Sequence, residues 1–151
     1  MRIDYSMELS CTPDQVWPYL EDPELQKQWM KGLLENQSTS EGPTRVGSTF
    51  RMRIKEGSRT ADYEGQVTAY EKQRHLGIRM WGGGLPKDTA IVVDYRLADL
   101  NGRTRLDYVC QLQGPPPGLF MRLMMPLGAM FARMQLKSFM RKLKSLVELK
   151  A

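Results

Sequence analysis

Cysteine and histidine are scarce in this chain of 151 residues, which contains two cysteines and one histidine. Cys11 and Cys110 lie far apart and belong to no CxxC motif or Cys/His cluster, so the sequence predicts neither a disulfide framework nor a zinc site. A single histidine forms no HExxH motif, and no GxSxG sequence is present. We therefore expect no metal and no other cofactor.

The chain also lacks a hydrophobic run long enough to cross a membrane. Its most apolar stretch, LFMRLMMPLGAMFARM at 119–134, is shorter than the roughly 20 residues of a spanning helix and contains Arg122 and Arg133. The first ten residues alternate polar and apolar side chains and show neither the apolar segment nor the cleavage site of a signal peptide. A cytoplasmic location is the expectation, with the membrane surface as a further candidate.

Charge of one sign does not dominate the chain as a whole. The 22 Lys and Arg are mixed with 17 Asp and Glu, for a net charge of +5. This mixture is typical of an ordinary solvated surface, and no nucleic-acid-binding motif accompanies it, so we expect no nucleic-acid partner. A hydrophobic content of 41% without a compositional break predicts one domain over 1–151.

Polar and apolar residues alternate in six segments of the chain, which predicts one antiparallel sheet with a covered face and a wet face. Thr12 as an N-cap and Pro23 in a first turn predict two short helices after the first strand. A long helix should follow the GPPPG sequence at 114–118. The predicted strands are 2–10, 33–40 (the weakest), 49–55, 61–70, 76–81, 91–97 and 105–112.

The long C-terminal helix carries more apolar surface than one sheet requires. One stripe continues backward from Leu136, Phe139, Leu143, Leu146 and Val147 to Ala132, Ala129, Met125 and Met121, and should face the sheet. The second stripe must meet the short helices, a second subunit, a membrane surface or a ligand. The interaction patch predicted from it consists of Phe120, Leu127, Phe131 and Met134.

The predicted strands and helices contain four characteristic sequence segments. These are TPDQVWPYLEDPELQKQW, VGSTF, GRTRLDY and LKSLVE. With them the chain resembles the START/Bet v 1-like superfamily, and more narrowly its polyketide cyclase/dehydrase and lipid-transport (SRPBCC) group. The resemblance implies an α+β helix-grip fold, in which a curved seven-stranded sheet wraps the long C-terminal helix and leaves an apolar cavity between the sheet and this helix. Family members bind lipids, hormones, polyketides or quinone-like molecules, and some are cyclases or hydrolases.

For the cavity that the resemblance implies, we predict a volume of several hundred cubic ångströms. Tyrosine hydroxyls are its main polar groups, because the carboxylates of the strands fall on the wet face. His75 is interpreted as a solvated turn residue, so no catalytic residue is proposed. The predicted pocket residues are Trp29, Phe50, Met52, Tyr63, Val67, Met80, Val93, Tyr95, Tyr108, Met121 and Met125.

These observations favour a protein that binds or carries a hydrophobic small molecule, such as a lipid, a polyketide or a quinone-like compound, without catalysis. The first alternative is a cyclase or dehydratase acting on a polyketide-like or aromatic substrate. The second is an interaction module that forms a homodimer or docks on a membrane surface through the predicted patch.

Overall fold

The computed structural model describes residues 1–115 and 118–150, apart from the side chains of residues 120, 121, 125 and 150. The seven strands, two short helices and long helix follow the predicted order, so the predicted α+β helix-grip fold is confirmed. The elements are β1 (Arg2–Leu9), α1 (Pro13–Glu21), α2 (Pro23–Trp29), β2 (Leu33–Ser38), β3 (Thr49–Glu56), β4 (Arg59–Glu71), β5 (His75–Gly82), β6 (Ala90–Asp99), β7 (Thr104–Gln113) and α3 (Leu119–Lys150).

The strands form one curved antiparallel sheet in the order β1–β7–β6–β5–β4–β3–β2. The register of the strands confirms the predicted assignment of side chains to the covered face and the exposed face of the sheet. Tyr95 of β6 lies opposite Leu76 of β5 and Tyr108 of β7, and these residues point to the covered face. Arg51 and Arg53 of β3 are exposed on the other face, as the alternation predicts.

The two short helices form a unit that is held together by two buried hydrogen bonds. Asp22 caps α2 by accepting a hydrogen bond from the backbone N–H of Glu24 at 2.9 Å. The side chain of Gln26 donates to the carbonyl of Leu20 at 2.7 Å, and the indole of Trp29 donates to the carbonyl of Tyr19 at 2.8 Å. Both acceptors lie at the C-terminal end of α1, where backbone carbonyls lack a partner within the helix.

The C-terminal half of α3 packs against the main core, which contains Leu9 and Leu106. Leu136, Leu143 and Val147 are buried, as predicted, whereas Phe139 and Leu146 are half-buried at the edge of the contact. Met140 is completely buried, although the predicted stripe did not include it. It lies one helical turn beyond Leu136, so the helical spacing itself indicates this position.

The N-terminal half of α3 exposes most of its described apolar side chains to solvent. Phe131 and Met134 of the predicted patch are each 60% exposed, and Leu127 is 46% exposed. Ala129 and Ala132 are half-buried, and the side chain of Phe120 lies outside the described residues. The exposed apolar residues are Leu119, Leu123, Met124, Leu127, Met130, Phe131 and Met134.

At 3.6 residues per turn, these exposed side chains cover an arc of about 140° on the side opposite the buried stripe. In an ordinary amphipathic helix that side is polar. No described helix is both long enough and apolar enough to span a membrane.

Candidate ligand cavity

A cavity of about 200 Å³ lies between the α1–α2 unit and strands β2 to β6. It is smaller than the several hundred cubic ångströms that the sequence predicted. No described residue of α3 lines it. The lining residues are Leu20, Glu21, Pro23, Gln26, Met30, Asn36, Ser38, Thr44, Ser48, Thr49, Phe50, Met52, Val67, Leu76, Ile78 and Tyr95.

The floor of the cavity is apolar and comes from the covered face of the sheet. Val67 lies opposite Ile78 in the register of β4 and β5, and Phe50 lies opposite Gly65 in that of β3 and β4. The ring of Phe50 rests over Gly65, where a Cβ atom would lie only 2.2 Å from Phe50 Cζ. The absent side chain of Gly65 therefore sets the position of one cavity wall.

Four of the eleven predicted pocket residues line this cavity: Phe50, Met52, Val67 and Tyr95. They come from β3, β4 and β6, which the sheet brings together. The side chains of Met121 and Met125 lie outside the described residues.

The other predicted pocket residues lie behind or beside the lining. Trp29 and Tyr108 each pack edge-to-face on Tyr95, with ring centroids at 6.4 and 5.3 Å. Val93 is buried in the main core next to them. Tyr63 and Met80 belong to a second core cluster, which also contains Met52 and Leu33.

A polar rim, which the sequence did not predict, faces this floor. Asn36 Nδ2 donates to Gln26 Oε1 at 2.6 Å and so joins β2 to the α1–α2 unit. Ser48 Oγ accepts from the backbone N–H of Arg45 at 2.9 Å. Amide and hydroxyl groups therefore border one side of the cavity.

A bulge in β2 explains why this rim was missed. The register shifts between Leu33 and Glu35, so Leu33 pairs with Ile54 while Asn36 pairs with Met52. One extra residue reverses the alternation beyond it and turns Asn36 toward the cavity. The bulge has no signature in the sequence, but the polarity of residues 35–40 showed that this strand differed from the others.

Glu21, the last residue of α1, is a half-buried carboxylate in the cavity lining. Its Oε1 accepts from the hydroxyl of Tyr70 at 2.5 Å, and its Oε2 accepts from the indole of Trp17 at 2.9 Å. The Trp17 and Tyr70 rings meet edge-to-face with centroids 5.8 Å apart. Both donors are neutral groups, so they orient the carboxylate without cancelling its charge.

The tyrosines around the cavity hold their protons tightly. Burial, followed by the hydrogen bond to Glu21, raises the pKa of Tyr70 to about 12. Burial also raises the pKa of Tyr95 and of Tyr108 well above the usual value. At neutral pH these hydroxyls are hydrogen-bond donors and not bases.

His75 does not lie in a solvated turn, so that interpretation was wrong. It is the first residue of β5, and its Nε2 lies 2.7 Å from Asp94 Oδ1. The two side chains are 21% and 27% exposed. Gly77 leaves room for the contact, because a Cβ there would lie 2.8 Å from Asp94 Oδ1. The neighbouring Leu76 faces the cavity, which places His75 on the opposite face of the sheet.

The part of the chain that the structure describes contains no group of three or more His, Cys, Asp or Glu side chains placed to hold a metal ion. Cys11 and Cys110 are free thiols. Burial is the main cause that raises the pKa of both.

Residues 1–148 match a protein-family model described as polyketide cyclase/dehydrase and lipid transport. The chain belongs to this family. The resemblance stated from the sequence is therefore confirmed, and it extends over nearly the whole chain. No curated protein sequence matches the chain.

Solved structures share the fold of this family member at low sequence identity. A protein from Thermus thermophilus has a TM-score of 0.76 at 12% identity, covering 100% of this chain and 99% of its own. A START superfamily protein from Mycobacterium smegmatis has a TM-score of 0.76 at 14% identity, covering 99% of each chain. The ZhuI aromatase/cyclase from Streptomyces sp. R1128 has a TM-score of 0.74 at 12% identity, covering 98% and 93%.

The raised pKa of Tyr70 predicts a measurable pH dependence. A tyrosine in the unfolded chain has a pKa of about 10, so the folded protein binds more protons than the unfolded chain between about pH 10 and 12. Stability from this group is complete below about pH 10 and is lost as the pH rises toward 12. Immediately after a jump to about pH 11, tyrosinate absorbance of the folded protein should be lower than that of the chain in denaturant.

The same pH jump on Tyr70→Phe separates this residue from the others. The variant should lack one tyrosine that stays largely protonated at about pH 11, and its other tyrosines should ionise as they do in the wild-type protein. Equal tyrosinate absorbance in the folded and denatured wild-type protein would contradict the proposed environment of these side chains.

Proposed function

We propose that this protein binds and carries a small hydrophobic molecule in the cavity between the α1–α2 unit and the sheet. The observation that carries the proposal is the lining itself, an apolar floor in a cavity of about 200 Å³ bordered by a few amide and hydroxyl groups. Small-molecule sites have this composition, because the apolar wall supplies affinity and the polar groups supply orientation. Membership of a family that binds hydrophobic ligands supports it.

The size of the cavity suggests the size of the ligand. An apolar protein cavity of roughly 150 Å³ accommodates benzene. About 200 Å³ therefore suits a ligand of one or two fused rings, or a short branched chain. We propose Phe50, Met52, Val67 and Tyr95 as its contacts, with Trp29 and Tyr108 supporting Tyr95 from behind.

The cavity favours binding over catalysis. Glu21 is the one ionisable carboxylate among the described lining residues, which include no histidine, lysine, arginine or cysteine. A general acid–base reaction uses groups whose pKa values lie near the working pH. Tyr70, the partner of Glu21, has a pKa of about 12 and stays protonated.

The alternative enzymatic function is a cyclase or dehydratase acting on a polyketide-like or aromatic substrate. The observation that favours it is the Glu21 carboxylate next to the Tyr70 hydroxyl at one border of the cavity. In that case Glu21 would be the base, oriented by the Tyr70 hydroxyl that donates its proton to it. One of the similar structures is an aromatase/cyclase, and at 12% identity that likeness extends to the fold alone.

The position of Phe50 over Gly65 provides a test of ligand binding. In Gly65→Ala the new methyl group should push the Phe50 ring into the cavity and reduce its volume. Affinity for 2-naphthalenemethanol, followed by its fluorescence, should fall by about tenfold or more, equivalent to about 1.4 kcal/mol. Gly128→Ala is the matched control, because its Cβ meets no atom within 4 Å and lies outside the cavity.

Unchanged affinity of Gly65→Ala, with the fold intact, would place the ligand elsewhere. Absence of saturable binding by the wild-type protein would contradict the carrier function itself.

We propose a second function for the exposed half of α3, which is docking on an anionic lipid surface. The exposed apolar face over 119–134 is followed on the same helix by exposed Lys137, Arg141, Lys142 and Lys144. Together with Arg122 and Arg133, residues 119–147 contain six cationic and no acidic side chains. Apolar side chains next to a cationic cluster are typical of helices that lie in the membrane interface. This net positive charge opposes the association of the helix with a second copy of itself.

Phe131→Glu tests this docking, because it places a charge within the exposed apolar face. Binding to vesicles rich in phosphatidylglycerol should drop several-fold, while the melting temperature stays within a few degrees, since Phe131 is 60% exposed. Gln135→Glu adds the same charge beside this face and should keep most of the binding.

Equal vesicle binding by Phe131→Glu and wild type would contradict the membrane proposal. Loss of a dimer in sedimentation would assign the face to a second copy, and a large fall in melting temperature would assign Phe131 to the core.

A further inference from the structure

We infer that the ligand of this cavity has a neutral or positively charged polar end, and that the cavity discriminates against carboxylates and phosphates. This inference rests on the proposed binding function and names the class of ligand. It follows from three features: the charges in the lining, the hydrogen bonds of Glu21, and the charges at the entrance.

The described lining residues offer no positive charge to an anion. Its polar members are the amides Gln26 and Asn36 and a set of Ser and Thr hydroxyls, which bind neutral groups. The single charged residue among the described lining residues is Glu21, which is acidic. An anionic head group in this cavity would lose its hydration without gaining a counterion, and a buried unpaired charge is strongly disfavoured.

Glu21 keeps its charge available to the ligand. Its two hydrogen bonds come from neutral donors, the Tyr70 hydroxyl and the Trp17 indole. The salt bridges among the described residues include none to Glu21. A carboxylate has about four lone-pair positions, so two remain for a ligand O–H or N–H.

The entrance carries a net negative charge, as the lining does. A surface groove next to the cavity shares Glu21, Pro23 and Thr44 with it, and we infer that this groove is the entrance. The charged residues that border this groove are Asp14, Glu21 and Asp22 against Lys72. Although the whole chain carries a net charge of +5, this approach is locally acidic and repels anions at low ionic strength.

The class of ligand that fits is a compact hydrophobic body with a hydroxyl, phenol or amine. Such a group donates a hydrogen bond to Glu21 while the body contacts the apolar floor. Fatty acids and lipid phosphates present the opposite chemistry to the same position.

A matched series of ligands with one naphthalene body tests the inference. The series is 2-naphthalenemethanol, 2-naphthylmethylamine as its ammonium, and 2-naphthoate, each titrated at neutral pH and low salt. The alcohol and the ammonium should bind at least about tenfold more tightly than the carboxylate, a difference of about 1.4 kcal/mol.

Glu21→Gln removes the charge and keeps an oxygen that accepts a hydrogen bond. This variant should bind naphthoate several-fold more tightly and the ammonium several-fold more weakly, with little change for the alcohol. Glu24→Gln is the control, because Glu24 has a 79% exposed side chain on α2 and lines neither the cavity nor the groove. It should bind all three ligands as the wild type does.

The outcomes separate this inference from the function on which it rests. If none of the three ligands binds the wild-type protein, the carrier function is overturned. If the ligands bind but naphthoate binds as tightly as the alcohol, the charge selectivity alone is overturned.

Salt dependence provides a second measurement on the wild-type protein, independent of whether Glu21→Gln folds. The ratio of ammonium to naphthoate affinity should shrink between about 20 mM and about 500 mM salt, because salt screens charges at the entrance. A large ratio that does not change with salt would overturn the contribution of the charges at the entrance and assign the selectivity to the lining and Glu21 alone.

Discussion

The buried end of α1 is the constraint on which the cavity depends. The carbonyl groups of Tyr19 and Leu20 are buried where the helix offers them no N–H partner, and each such group left unpaired would cost about 1–3 kcal/mol. Trp29 and Gln26 of α2 provide the missing donors at 2.8 and 2.7 Å. These bonds fix α2 against α1, and with them the position of Glu21, which follows directly in the chain.

The same bonds connect the helices to the sheet. Gln26, held by the Leu20 carbonyl, accepts from Asn36 of β2 at 2.6 Å, so the α1–α2 unit is joined to the edge strand through polar groups. Trp29 packs on Tyr95 of the central sheet and completes the support. The space between these contacts is the cavity, with apolar residues of the sheet below and amides of the rim beside it. The protein thereby combines a hydrophobic floor with a small number of oriented polar groups.

Much of the fold follows from periodicity, and the site follows from it only in part. Alternation with period two placed Phe50, Met52, Val67 and Tyr95 on the covered face, and the structure puts all four in the lining. Helical spacing likewise identified Leu136, Leu143 and Val147 as buried. The position of Asn36 depends on a bulge that carries no composition signal. Glu21 acquires its role from Tyr70, 49 residues later, and no local pattern reports that contact.

The most direct test of the central claim is an amide NMR titration of the ¹⁵N-labelled protein with 2-naphthalenemethanol. A ligand in the cavity predicts saturable shifts that concentrate at the lining, with Leu20, Gln26, Asn36, Ser48 and Ile78 among the most affected. Shifts confined to the exposed apolar face of α3, or an absence of saturable shifts at any accessible concentration, would contradict a ligand cavity between the α1–α2 unit and the sheet.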